Sequence, residues 1–204
     1  MKRTTTGRLR ADALRNRTRI LAAARESFVE LGAEAPLDEI ARRAGVGNAT
    51  LYRHFADRDA LLHEVVLTVM TRAADAVEPE ADDPFVALCQ FVHAAADERI
   101  AVLCPLLAGA ADYPDLSAEK ERLVRGLQAL VDRAHEASRL RDDVSLGDLM
   151  MALAQLTRPV AGADWSTTSR LTHRNLQLFL DGLEAPARSS LPGDPATLAD
   201  LSRK

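Results

Sequence analysis

The segment GVGNATLYRHF, residues 45–55, constrains the fold of this chain more than any other part of it. Leu51 and Phe55 stand four residues apart, so a helix places both on one face and leaves hydrogen-bonding side chains on the other. Gly45 can adopt the positive φ of a tight turn, and a second short apolar pattern precedes it. The spacing therefore predicts a helix-turn-helix. Its inward-facing positions are Ile40, Ala41, Ala44, Val46, Leu51 and Phe55.

Apolar residues recur every three or four positions through most of the chain, and the sequence contains no strand pattern or internal repeat. These patterns predict an all-α protein of about nine helices. We expect an N-terminal arm and helix-turn-helix domain over residues 1–56, a helical domain over residues 57–184, and a flexible tail over residues 185–204. The predicted helices span residues 11–31, 37–44, 48–55, 58–77, 84–97, 100–110, 116–139, 145–162 and 167–184.

Positive charge is concentrated near the N-terminus of a chain whose net charge is −4. Residues 1–60 carry 12 Lys and Arg against 8 Asp and Glu, whereas residues 61–204 carry 14 against 22. The first 25 residues contain eight Lys and Arg residues and a single acid, Asp12. A basic module on an acidic chain is typical of polyanion binding, although a solubilising basic tail would leave the same pattern.

Sequence signatures of several other classes of protein are absent. No apolar run is long enough to span a bilayer, and no signal-peptide core follows the basic N-terminus. Cys89 and Cys104 are too few for a disulfide scaffold. Phosphate-binding loops, nucleophile elbows and paired-histidine metal motifs do not occur. We therefore expect a cytoplasmic protein without catalytic residues, cofactor, metal or membrane association.

Two segments together resemble a known family. LDEIARRAGVGNATLYRHFADRDALL, residues 37–62, and RILAAARESFVELG, residues 19–32, are similar to the DNA-binding domain of the TetR (tetracycline-repressor-like) transcriptional regulators. The resemblance is specific over about 45 residues, especially in AGV and TLYRHF, and over the remaining two-thirds it rests on length and helical layout. It implies that the second short helix enters the major groove of DNA, supported from behind by Leu51 and Phe55.

The resemblance also implies which residues contact DNA. Asn48 can bond an adenine edge, a methyl group of Ala49 or Thr50 can meet a thymine methyl, and Arg53 can bind guanine or phosphate. Alternatively, Tyr52 packs with its hydroxyl outward, and Arg53 and His54 are solvated surface. The candidate DNA-binding residues are Asn48, Ala49, Thr50, Tyr52, Arg53, His54 and Arg58.

Two positions depart from the family pattern. Many members have a hydroxyl residue where this chain has Pro36 and Leu37, so a side-chain bond to phosphate is lost there, although backbone N–H groups at the helix end can still serve. Gly47 stands where serine is frequent. We therefore expect Asn48 to cap the recognition helix, which would compete with base reading.

For the rest of the chain the resemblance implies an effector-binding and dimerisation domain. Ordinary packing in the core would explain the candidate pocket residues named at the end of this paragraph equally well. Cys89 and His93 stand four apart with Cys104 further on, so a zinc site is a third reading, but the paired C-x-x-C spacing is missing. The candidate effector-pocket residues are Phe85, Cys89, Val92, His93, Leu106, Tyr113, Met150 and Trp165.

The last two predicted helices are apolar over much of their surface and would pair with those of a second copy. The leading hypothesis is a homodimeric repressor that binds a palindromic operator in double-stranded DNA and is released by a small-molecule effector. The alternatives are a DNA-binding regulator without such an effector, and a helical carrier or enzyme with a vestigial DNA-binding module. The effector, the operator and the direction of regulation stay open.

Overall fold

The computed structural model describes residues 4–78, 80–107, 113–158, 162 and 164–201, and residues 4–10, 165 and 201 by their backbone alone. Over these residues the chain is helical, which confirms the predicted all-α class. Ten α-helices and one short 3₁₀-helix, Cys104–Leu107, are described. The α-helices are α1 Thr4–Leu31, α2 Leu37–Ala44, α3 Asn48–His54, α4 Arg58–Asp75, α5 Pro84–Asp97, α6 Ile100–Leu103, α7 Pro114–Glu136, α8 Leu146–Leu156, α9 Trp165–Leu183 and α10 Leu198–Leu201.

Helix α1 differs from the expectation because it begins at Thr4 rather than near residue 11. The predicted start was set by apolar periodicity, whereas the first turns consist of polar and basic residues whose backbone continues the helix without proline. The arm residues Lys2 and Arg3 lie outside the described residues. None of the described helices is both long and apolar enough to cross a membrane.

The described chain divides into two compact units. The first comprises residues 1–68 with 103–111, and the second comprises residues 69–102 with 112–204. In the first unit α2 packs against α1 and α3. Its core is built from side chains of all four N-terminal helices, which are fully or almost fully buried: Ile20, Ala24, Phe28, Ile40, Ala41, Leu51, Phe55 and Leu61.

In the second unit α5 packs against α7 and α9, and α8 packs against α7, α9 and α10. Polar residues begin these helices: Asp83 accepts from the N–H groups of Phe85 and Val86, and Ser145 forms a capping box with Asp148. The largest fully buried side chains of this core are Leu88, Leu127, Leu130, Leu176 and Leu180. The division differs from the predicted boundaries of residues 56 and 184, which were placed at sequence breaks rather than at contacts.

The chain end is attached to the second unit at two places. The guanidinium of Arg141, only 6% exposed, donates to Asp143 at 2.6 and 2.9 Å and to the carbonyl oxygen of Ser189 at 2.6 Å. Asp148 accepts from the N–H of Ala196 at 3.0 Å. Arg141 lowers the pKa of Asp143 to about 2, so that carboxylate stays ionised at acidic pH values where an ordinary aspartate is protonated. Flexibility of residues 185–204 stays a prediction, and the structure gives α10 at Leu198–Leu201 packed on α8.

Replacement of Gly147 by alanine tests this attachment. A Cβ at residue 147 would overlap the backbone carbonyl of Ala196, so we expect the substitution to detach the chain end, although alanine is favoured over glycine inside a helix by about 1 kcal/mol. Limited proteolysis should cut the variant near its C-terminus sooner than the parent, and its melting temperature should fall. A variant that is more stable and equally resistant to protease would contradict the close packing of Gly147 against Ala196.

Candidate DNA-binding surface

The turn between α2 and α3 depends on the backbone of Gly45. Its φ of 63° and ψ of 39° are left-handed, and its N–H donates to the carbonyl groups that end α2. Arg19 of α1 donates to the carbonyl oxygen of Gly45 at 3.2 Å. A Cβ at this position would overlap the guanidinium of Arg19. The backbone angle therefore requires glycine here, and any other residue would also displace the guanidinium of Arg19.

Helix α3 has one buried and one open face. Leu51 is 1% exposed and Phe55 4% exposed, whereas Tyr52 is 52% exposed. Among the other candidate DNA-binding residues, Asn48, Ala49 and Arg53 are exposed, and Thr50, His54 and Arg58 are half-buried. The structure thus places six candidates on α3, none of them fully buried, and Arg58 at the first residue of α4, and their contact with DNA stays a prediction.

An arginine supports the buried face of α3 at its end. The guanidinium of Arg17 lies 4.7 Å from the centroid of the Phe55 ring and also pairs with Glu64 of α4 at 2.6 Å. A guanidinium over an aromatic ring is attracted by the ring's quadrupole, and the ion pair orients it. Arg17 therefore connects α1, the end of α3 and α4.

The predicted cap of α3 by Asn48 is wrong. Gly47 is the N-cap and has no side chain with which to bond, and the amide nitrogen of Asn48 instead donates to the carboxylate of Asp38 at 2.7 Å. The expected competition between capping and base reading is therefore absent. Asp38 lies in the first turn of α2, and its spacing of ten residues from Asn48 gives no sequence signal of their contact.

The basic side chains beside α3 are engaged in local bonds. Arg53 donates to the carbonyl oxygen of Ala49 at 3.2 Å and to the hydroxyl of Thr50 at 2.9 Å. Arg58 donates to Glu34 at 2.6 Å. Each of these bonds has at least one exposed partner, and ion pairs near the surface contribute about 1 kcal/mol or less, so phosphate oxygens can replace these bonds at little cost.

The basic residues of α2 are neutralised by acids. Glu39 accepts from Arg42 and Arg43, and their hydrogen bonds lower its pKa to about 2. Arg43 also pairs with Glu30 at 2.7 Å. The positive charge count of the first 60 residues therefore overstates the charge available to bind phosphate.

In the second unit, three candidate pocket residues line an open groove between α5 and α9. Phe85, Cys89 and His93 lie along α5, and Gln177, Asp181 and Glu184 face them from α9. The groove has a volume of about 640 Å³. Burial, and after it the neighbouring carboxylates, raise the pKa of the Cys89 thiol to about 11, which makes the reactive thiolate still rarer at neutral pH than in an ordinary cysteine.

The other pocket candidates are not brought into this groove. Val92 and Met150 line a crevice of about 10 Å³ among the packed side chains of α5, α7 and α8, barely the size of one water molecule. Leu106 belongs to the first unit, Tyr113 is the N-cap of α7, and the side chain of Trp165 lies outside the described residues. Cys104 also belongs to the first unit, and among the described residues no three His, Cys, Asp or Glu side chains are grouped as metal ligands.

A pair of histidines joins α5 to α9 beside the groove, which His93 lines. The Nδ1 atoms of His93 and His173 are 2.8 Å apart. The ring centroids are 5.1 Å apart and the ring planes differ by 24°. That centroid distance is about the nitrogen separation plus two ring radii, so the rings meet edge to edge rather than face to face.

A further hydrogen bond continues the pair on each side. Gln177 donates its amide nitrogen to Asp181 at 2.7 Å, and its amide oxygen lies 3.1 Å from Nε2 of His93. Nε2 of His173 lies 2.9 Å from the carboxylate of Asp97. The two rings are therefore the centre of one network that joins α5 to α9.

A double-mutant cycle tests the histidine pair. Because both rings belong to one hydrogen-bond network, we expect His93→Ala and His173→Ala to show a coupling energy of about 0.5–3 kcal/mol in the free energy of unfolding. His135 bonds the carbonyl oxygen of Arg141 instead, so His93→Ala and His135→Ala should be additive. Additivity of the first pair in urea denaturation would contradict the network.

Comparison with protein families and known proteins agrees with the fold. A family model described as bacterial regulatory proteins, tetR family, matches residues 20–65, and one described as the C-terminal domain of SbtR-like transcriptional regulators matches residues 83–185. HTH-type transcriptional regulators of Staphylococcus aureus are 42% identical over 59 residues, which are 28% of this chain. The match spans only 32% of the length of those curated relatives.

Solved structures are similar over most of their length. A TetR transcriptional regulator from Streptomyces coelicolor is 32% identical, with 84% of this chain and 99% of that chain covered and a TM-score of 0.60. A TetR regulatory protein from Mycobacterium vanbaalenii is 30% identical, with 87% and 99% covered and a TM-score of 0.55. All these relatives are regulators, which confirms the prediction that the chain is not an enzyme. The chain belongs to the TetR family of DNA-binding transcriptional regulators.

Proposed function

We propose that the chain is a homodimeric repressor that binds a palindromic operator through α3 and is released by a small-molecule effector. The observation that carries the DNA-binding part is the division of α3 into two faces. Leu51 and Phe55 supply its packing, so its exposed residues have no role in the core and are available to base edges and phosphates. The proposed contacts are Asn48, Ala49, Thr50, Tyr52, Arg53, His54 and Arg58.

Dimerisation is supported by the outward faces of α8 and α9. Met151 of α8 is exposed, and Leu178 is 60% exposed although Leu176 and Leu180 on the same helix are buried. Exposed large apolar residues on two packed helices favour association with a like surface. A homodimer has two copies of α3, which on a palindromic operator would bind half-sites about one DNA turn, roughly 34–36 Å, apart.

The effector is proposed to bind in the groove between α5 and α9. Its volume of about 640 Å³ lies within the range of ligand pockets, roughly 300–1,000 Å³, and apolar and polar side chains both line it. The ligand would release DNA only by binding one conformer of the dimer more tightly than the other. Compounds that raise the melting temperature, and then release DNA in a gel shift, test this part.

One observation favours the alternative of a regulator without a small-molecule effector. The crevice of about 10 Å³ at Val92 and Met150 shows how closely the described helices α5, α7 and α8 pack. If no compound that binds the groove alters DNA affinity, control by expression level or by a protein partner becomes the better account.

The DNA-binding proposal predicts the effect of two substitutions on α3. Tyr52→Ala and Thr50→Ala should each weaken binding to the operator by about 1–3 kcal/mol, because each removes groups from the open face. Gel shifts at fixed salt against the promoter region beside the protein's own gene measure this. Leu51→Ala is the matched control: it should lower the melting temperature, whereas the first two should not. Parental affinity in both surface variants would show that this face does not bind DNA.

The dimer proposal predicts the effect of one charged substitution on α9. Leu178→Glu places a carboxylate in the proposed apolar interface, so we expect the mass in solution to fall from two chains to one and operator affinity to fall with it. Leu191→Glu, at another exposed leucine outside the two helices, should remain dimeric. Sedimentation equilibrium distinguishes the two, and an unchanged mass for Leu178→Glu would place the interface elsewhere.

A further inference from the structure

We infer that Asp38 determines base specificity by orienting the amide of Asn48, a role that rests on the proposed DNA-binding function of α3. The two side chains belong to different helices, both are exposed, and a hydrogen bond of 2.7 Å joins the amide nitrogen of Asn48 to the carboxylate of Asp38. Asn48 is the first residue of α3 and Asp38 lies in the first turn of α2. The bond therefore spans the turn at the N-terminal end of the recognition helix, where base edges are expected.

The carboxylate removes an ambiguity that an asparagine otherwise has. A free amide can turn over and exchange its oxygen and nitrogen. An ionised carboxylate only accepts hydrogen bonds, so the nitrogen of Asn48 must face Asp38. The amide oxygen points away, because two oxygens side by side would repel each other. The order of acceptor and donor that Asn48 presents outward is thus set before DNA arrives.

This order of acceptor and donor matches the major-groove edge of adenine. In the major groove adenine offers a donor at N6 beside an acceptor at N7, which an amide oxygen and its neighbouring N–H can bind together. Guanine offers two acceptors, and cytosine and thymine each offer a single polar group. An amide held in one orientation therefore favours adenine, and the hydrogen bond to Asp38 uses the N–H that points away from the amide oxygen.

The negative charge of Asp38 makes a merely electrostatic role unfavourable. A carboxylate near phosphates lowers affinity for all sequences alike. The same position would be better filled by a neutral or basic residue if general affinity were its only task. By orienting Asn48, Asp38 instead raises affinity for operators that have adenine at the contacted position. This gain opposes the general loss of affinity that its charge causes.

Selection from a pool of randomised DNA duplexes tests the inference on the full-length chain. Sequencing of the bound duplexes gives the base frequencies at each operator position, and Asn48→Ala identifies the position that depends on Asn48. We expect adenine there in the parent, preferred by on the order of tenfold over other bases. Asp38→Ala should reduce that preference about threefold or more at the same position, and should change nothing further in the Asn48→Ala background.

Controls separate orientation from charge and from folding. Asp59→Ala removes an equal charge from the first turn of α4 and should raise affinity for all duplexes without changing base frequencies. Asp38→Ser provides a second variant should Asp38→Ala melt early. A different base at the Asn48-dependent position, an unchanged preference in both Asp38 variants, or an effect that persists without Asn48 would each overturn the inference. If the parent still enriches a palindrome from the pool while one of these results is found, only the inference about Asp38 fails. If the parent enriches no sequence, the proposed DNA-binding function fails together with the inference.

Discussion

The burial of Leu51 and Phe55 is the interaction on which the DNA-binding surface depends. A helix of seven residues is not stable alone in water, because nucleation costs more than so few backbone bonds return. Helix α3 exists because these two side chains join the core formed by α1 and α2, and because Arg17 lies over the Phe55 ring. The residues on its other face do not contribute to the core. They can therefore differ between proteins that bind different operators without loss of the fold.

The helix-turn-helix could be predicted from the sequence because its determinants are local. The spacing of Ile40, Ala44, Leu51 and Phe55, with glycine at the turn, fixed both short helices to within one residue of their observed bounds. The start of α1 was placed too late, since backbone hydrogen bonds extend a helix beyond its apolar stripe. The cap of α3 was also wrong, because the bond from Asn48 to Asp38 depends on how two helices cross.

The C-terminal domain was less predictable because its sites, like the bond from Asn48 to Asp38, depend on which helices pack together. Periodicity shows which face of a helix is apolar, but it does not show which helices meet. Phe85, Cys89 and His93 were singled out on one helix, whereas the residues opposite them, His173 and Gln177, were not. Met150 and Val92, expected in the same pocket, line a separate crevice. Only the pairing of α5 with α9 brings the two histidines together.

The attachment of the chain end to α8 bears on the order in which the protein folds during synthesis. Helix α2 packs on α1 and α3, which all lie within the first 54 residues, so the helix-turn-helix can form early on the ribosome. Ser145 and Asp148 bond Ala196, which is synthesised 51 residues after Ser145. We therefore expect the C-terminal unit to reach its final packing only after residue 196 has left the ribosome, and nascent chains truncated before that residue to lack it.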